Sequence, residues 1–186
     1  MPTSDELSRV ESHPSWTPQE KWVWEQIQKR EIADFNREED YGERLDPKKT
    51  EGWVPQRVLR SEFLLTVLLK EPYRGAIPHA GVRIAGAWFN ESLDLSFAEI
   101  LHPLVLGYCR FEKEVILVQL RASHFIGLMG SKFNTKLDMN SLEVIGDLLM
   151  RTGAAFSEVD LTRARIKGNV EMWSSTFAGR LNMNSI

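Results

Sequence analysis

The chain has 186 residues, 42% hydrophobic and 26% charged, with a formal net charge of −3, ordinary values for a globular protein able to bury a sizeable core. A single cysteine excludes a disulfide framework or a cysteine-based metal cluster. No apolar run reaches the ~20 residues that span a bilayer, and the opening Met-Pro-Thr-Ser-Asp-Glu-Leu lacks the basic and apolar regions of a signal peptide, so a soluble, cytoplasmic protein without a membrane span is expected.

Residues 1–16 are polar and are expected to be loosely ordered as far as Trp16. Thr17-Pro18-Gln19-Glu20 then carries the signals of a helix start: a threonine N-cap, proline at the first helical position and a glutamate placed to close a capping box. This helix is predicted to run to about Asn36, burying Val23, Trp24, Ile27 and Phe35. The charged stretch 37–52, with Gly42, Pro47 and Gly52, reads as an exposed loop. A second helix is predicted from Pro55 to Lys70, with Val58, Leu59, Phe63, Leu64, Val67 and Leu68 as a broad apolar face. Pro72, Gly75 and Pro78 end it.

From residue 82 onward a repeat takes over. Every eleventh residue from Val82 reads Val82, Leu93, Leu104, Val115, Ile126, Leu137, Leu148, Val159, Val170, Leu181. Two places later the column is Ile84, Leu95, Leu106, Leu117, Leu128, Met139, Met150, Leu161, Met172, Met183. A third column, five places after the first, is mostly small, and a fourth, seven places after, is mostly bulky; Ala155 breaks the fourth, and Phe156 beside it suggests a one-residue slip. On a helix, offsets of zero and two would lie about 200° apart. They share a face in an extended chain, so the repeat predicts a β-solenoid built from 11-residue units. The solenoid occupies 82–186, and 1–81 forms a helical cap over the first coil, where core and strand edges would otherwise be exposed. That role accounts for the placing of Trp16, Trp22, Trp24 and Trp53 there. At the other end the repeat stays in phase to Ile186, so the last coil is expected to be covered by a second copy end to end or by a C-terminal continuation.

A small residue followed two places on by a large apolar one, as in Ala98-Glu-Ile100 and Ser131-Lys-Phe133, resembles the pentapeptide-repeat motif, and 93–100 (Leu-Asp-Leu-Ser-Phe-Ala-Glu-Ile) is the nearest match. The resemblance implies a right-handed, four-sided β-helix. Here a coil takes two units, 22 residues, and the first column carries aliphatic residues where the motif prefers alanine, which marks a divergent relative. Together with 20–25, 31–36 and 81–88, the chain looks like a bacterial family of pentapeptide-repeat-like proteins of unassigned function. Some relatives are labelled membrane-associated oxidoreductases, and no cofactor motif stands in this sequence to match that label.

With 22 residues per coil, residues 22 apart should stack about 4.8 Å from one another. Trp88, Arg110 and Lys132 form one such column, two cations beside an exposed aromatic, and are the candidate partner-binding face for a phosphate, a carboxylate or an acidic protein. Glu99, Arg121, Glu143 and Arg165 form an alternating column that reads as an ion-pair ladder. His102 and His124 stack as well, but two imidazoles without a third donor predict no metal site. Asp94, Asp138 and Asp160 share a column whose expected work is in turns. Catalytic and cofactor-binding residues are assigned nowhere, since neither a Gly-x-Gly-x-x-Gly, a phosphate loop nor a Gly-x-Ser-x-Gly elbow is present.

These features predict a non-enzymatic interaction scaffold with an unknown protein partner; an uncharacterised enzyme is the weaker alternative. Some pentapeptide-repeat proteins mimic duplex DNA and bind topoisomerases, which the resemblance brings forward as another. From residue 82 onward there are 11 basic and 11 acidic residues, so the repeat is neutral and the net −3 belongs to 1–81. A neutral repeat disfavours a DNA mimic, and the lack of a basic excess disfavours nucleic-acid binding.

Overall fold

The structure, a computed structural model, describes residues 9–186; the expectations for 1–8 lie outside the described residues. From residue 82 the chain winds through about five stacked coils, each contributing short strands to three parallel sheets. The 22-residue register is met throughout the first column: Val82 pairs with Leu104, Leu104 with Ile126, Ile126 with Leu148, and Leu148 with Val170. The alternate set, Leu93, Val115, Leu137, Val159 and Leu181, pairs in the same way. One sheet has six strands, with the first-column residues Val82 to Val170 on its inner face; a second has eight; a third, four-stranded sheet holds Glu99–Ile100, Arg121–Ala122, Glu143–Val144 and Arg165–Ile166.

Inside, the bulky column becomes a stack of rings. Phe89, Phe111, Phe133, Phe156 and Phe177 follow one another with centroids 4.8, 4.4, 5.1 and 5.2 Å apart and planes within 18° of parallel, a spacing that favours offset stacking. The slip at Ala155 is present. Phe133 pairs with Phe156, 23 residues on, and Phe156 pairs with Phe177, 21 residues on, so an inserted residue in one coil is handed back in the next.

The turns have a regularity that composition hides. Every eleventh residue from Gly86 to Ser185 has a left-handed backbone: Gly86, Phe97, Tyr108, Gln119, Gly130, Ser141, Thr152, Arg163, Ser174 and Ser185, with φ between 51° and 73°. Each is the third residue of a tight turn linking the second column to the third, closed in most units by a bond such as Leu120 N to Leu117 O, 3.2 Å. Two of the ten are glycine, the residue that takes this conformation at no steric cost.

The N-terminal segment covers the first coil. Helix α1 (Pro18–Gln28) starts as predicted, with Thr17 as N-cap and the reciprocal Glu20 bond. It ends eight residues before Asn36. Arg30, at φ 63°, closes a Schellman turn in which Glu31 N donates to Gln26 O and Arg30 N to Ile27 O. The chain beyond becomes strand β1 (Ala33–Asp34), paired with Ile84–Ala85, so it occupies the free edge of the six-stranded sheet. The second predicted helix is also shorter. A 3-10 turn (Pro55–Arg57) leads to Val58, which bridges Trp88, and Leu59 N donates to Trp88 O, covering the next sheet edge; α2 (Ser61–Leu69) begins after that. A four-residue helix α3 (Tyr73–Ala76) follows. Trp16, Trp24, Phe63 and Tyr73 pack ring against ring beneath. Within 9–15 the chain is less loose than expected, since the carbonyl of Val10 accepts bonds from Trp24 Nε1 and Gln28 Nε2, each 2.8 Å.

Two buried charges hold the cap in place. Glu20 accepts from Arg60 Nη2 (2.5 Å), Arg60 Nε (2.9 Å) and Thr17 N (2.9 Å). Burial alone would raise its carboxyl, but the Arg60 side-chain bond and the backbone bonds from Thr17 and Arg60 outweigh it and hold it below its ordinary value. Arg57, fully buried, donates to Tyr41 O, Asn36 Oδ1, Gly86 O and Glu43 O. Carbonyl oxygens thus replace the water that this guanidinium would lose. The loop 37–52 is therefore tied to the stack rather than free.

Candidate functional site

Trp88, Arg110 and Lys132 do line up, Trp88 pairing with Arg110 and Arg110 with Lys132. Their surroundings differ from the expectation. Arg110 is 6% exposed, its Nη1 donating to Pro47 O (2.7 Å) and Lys49 O (3.1 Å) and its Nε to Glu112 Oε1 (2.5 Å). Glu112 also accepts from Trp88 Nε1 and from Asn134 Nδ2; burial raises its carboxyl, and the bonds from Arg110 and Asn134 prevail and lower it. Trp53 leans on Trp88 with centroids 6.5 Å apart. Two of the three residues are thus engaged by the chain's own 47–53 segment. The expectation of two open cations beside an exposed aromatic is corrected: the loop's carbonyls, which leave no trace in residue type, satisfy Arg110. Lys132 stays half-buried, and burial, then Arg110 and Lys48, push its ammonium below the usual range.

The alternating column lies on the outer face of the four-stranded sheet. Arg165 Nη1 reaches Glu143 Oε1 at 3.0 Å and Arg121 Nε reaches Glu143 Oε2 at 3.7 Å, while Glu99 faces Arg74 at 3.9 Å. One glutamate therefore stands between two arginines, and the ladder is incomplete at its first rung. A groove of about 400 Å3 runs beside it, lined by Phe97, Gln119, Arg121, Ser141, Arg163 and Arg165 together with Glu143. Phe97, which has a left-handed backbone, is 75% exposed. The charged column was legible in sequence; the exposed Phe97 beside it was not, because period alone does not say how a turn residue points.

The other columns settle into structural work. Asp94, Asp138 and Asp160 each accept the backbone N–H two residues on, at 2.8, 3.1 and 2.9 Å, and Asn182 repeats this at 3.3 Å. These are turn bonds repeated up the stack, except where Ile116 takes the place of the carboxylate. His102 has its imidazolium disfavoured by burial and then by His124 and Arg74. No group of three or more His, Cys, Asp or Glu able to hold a metal occurs among the described residues. Cys109 is buried with its thiol pushed up to about 12, and the thiolate that reactivity needs is suppressed. Among the described residues no helix is long and apolar enough to cross a membrane.

Comparison with protein-family models, with curated proteins and with solved structures found no match to this chain.

Proposed function

We propose that the protein is a non-enzymatic interaction scaffold that presents the outer face of its four-stranded sheet to an acidic protein partner. The observation that carries this reading is the groove of Arg121, Arg163 and Arg165 around a single Glu143, with exposed Phe97 in its lining. Three cations against one carboxylate leave a local excess of two positive charges in a repeat that is neutral overall. Apolar residues beside exposed arginines are what a docking surface uses, the first for burial and the second for orientation and rate of encounter. The stack beneath is a fixed platform, so the partner would meet a surface already in its bound shape. The spacing of small and large inward residues further supports placing the chain as a divergent relative of the bacterial pentapeptide-repeat-like proteins, acting in the cytoplasm.

The test is affinity capture with the parent chain and with an Arg121→Glu/Arg165→Glu variant, followed by direct titration of the captured protein. A partner with an acidic contact segment, bound at least about tenfold more weakly by the variant, is expected. Equal capture by both chains, or stoichiometric inhibition of a topoisomerase by both, would remove this reading.

A further inference from the structure

The groove on the four-stranded sheet has a direction. Its lining takes residues from four successive coils in two neighbouring files: Phe97, Gln119, Ser141 and Arg163, each 22 residues from the next, and Arg121, Glu143 and Arg165. The first file consists of left-handed turn residues, and each turn is tied to the coil above it, Phe97 N donating to Val118 O, Gln119 N to Asn140 O and Ser141 N to Thr162 O. The second sits on paired strands, Arg121 with Glu143 and Glu143 with Arg165. Both files therefore climb the stack in steps of about 4.8 Å, and the groove from Phe97 to Arg163 is about 14 Å long.

Its two ends are chemically opposite. At the Phe97 end the charged column holds Glu99, which faces Arg74, so an exposed ring stands at a level without surplus charge. At the other end Arg163 and Arg165 share one coil, and Glu143, a coil earlier, is divided between Arg165 and Arg121. Arg163 Nη2 donates to the neutral Asn140 Oδ1 (3.2 Å), and among the described residues no carboxylate lies within 4.0 Å of Arg163. Between the ends, exposed Gln119 and half-buried Ser141 offer an amide and a hydroxyl. Within a coil the two files are two residues apart, at most about 7 Å at the backbone, a bed narrower than a helix of about 10 Å.

We propose that the groove receives a linear acidic segment of the protein partner, extended along the stack axis, with an apolar or aromatic side chain on Phe97 and carboxylates on Arg163 and Arg165. This rests on the sheet face being the docking surface and adds the form of what docks there. An extended chain advances about 3.4 Å per residue, so the apolar residue and the first carboxylate stand about four positions apart. Gln119 and Ser141 meet the backbone polar groups of the residues between them. An aromatic contact at one end and guanidinium–carboxylate pairing at the other set the register of the segment as well as its affinity.

The experiment titrates the full chain with fluorescein-labelled peptides in which a tryptophan and a pair of glutamates are either adjacent or separated by a three-residue Gly/Ser spacer, read by anisotropy. The spaced peptide is expected to bind at least about fivefold more tightly than the adjacent one. Phe97→Ala, at an exposed position, should leave the circular dichroism spectrum unchanged and erase that preference. Arg163→Glu/Arg165→Glu should weaken both peptides about tenfold or more. No saturation up to roughly 1 mM, equal affinity for the two peptides, or a preference that survives Phe97→Ala would overturn the proposal. A folded partner lost in the Arg121→Glu/Arg165→Glu variant, without spacing-dependent peptide binding, would leave the acidic partner standing and overturn the linear segment.

Discussion

At the first coil Val82, Ile84 and Phe89 are fully buried beneath the N-terminal segment, whereas at the last coil Val170, Met172, Phe177 and Leu181 fill the same columns and are only partly covered. Met183, the final member of the second column, is 43% exposed. Residue type is held constant along each column, so the difference isolates what a neighbour supplies. A column residue belongs to the core because another layer lies over it. At the first coil that layer is foreign to the repeat: helices, an added strand and a cluster of aromatic rings, fixed by Glu20 and Arg57.

The largest effect expected from this contrast is at Leu128. Leu128→Asp would bury a carboxylate without a partner in the middle of the stack, at a cost of several kcal/mol, and should leave the chain unfolded at room temperature. Met172→Asp places the same charge where solvent already reaches and should cost about 1 kcal/mol. Urea unfolding followed by circular dichroism compares them; equal losses would mean that the last coil is as well covered as the middle.

An intermediate effect concerns acid. Since the Glu20 carboxyl is held below its ordinary value of 4.5, its contribution is fully present above that pH and is lost as pH falls through the lower, folded-state value. The parent should therefore lose more stability than Glu20→Gln between neutral pH and about pH 3, read as urea midpoints. Parallel decline of the two chains would show that Arg60 does not hold the carboxylate ionised.

The smallest effect lies in the turns. Gln119 and Ser185 share the left-handed column, one mid-stack and one in the last coil. Glycine relieves a strain of about 1 kcal/mol at such a position and gives back part of it through the greater freedom of the unfolded chain. Gln119→Gly should raise the melting temperature by a degree or two at most, by roughly a few tenths of a kcal/mol, and Ser185→Gly should leave it unchanged. A lowered melting temperature for Gln119→Gly would show that its side chain contributes packing that the turn geometry does not require.

Much of the solenoid was legible because its first two inward columns admit no polar residue, so the period is written directly in Val82, Leu93 and their successors. Helix ends were less legible. Arg30 terminates α1 with a backbone conformation usually left to glycine, and Val58 and Leu59 look helical by period yet pair with Trp88. The candidate site divides the same way. Register placed Trp88, Arg110 and Lys132 in one column, but the groups that cover Arg110 are the carbonyls of Pro47 and Lys49, and every residue has a carbonyl.

The hydrogen bonds between coils run along the stack, as from Val82 N to Pro103 O and from Leu148 N to Asn169 O. Tension applied between the ends would load these rungs in series, and the layer with one neighbour would detach first. Each released coil adds 22 residues of free chain, as the register from Leu104 to Ile126 sets, or up to about 75 Å of length. Such a molecule lengthens in nearly equal steps, behaving under load as a short ratchet with a fixed anchor at its helical end.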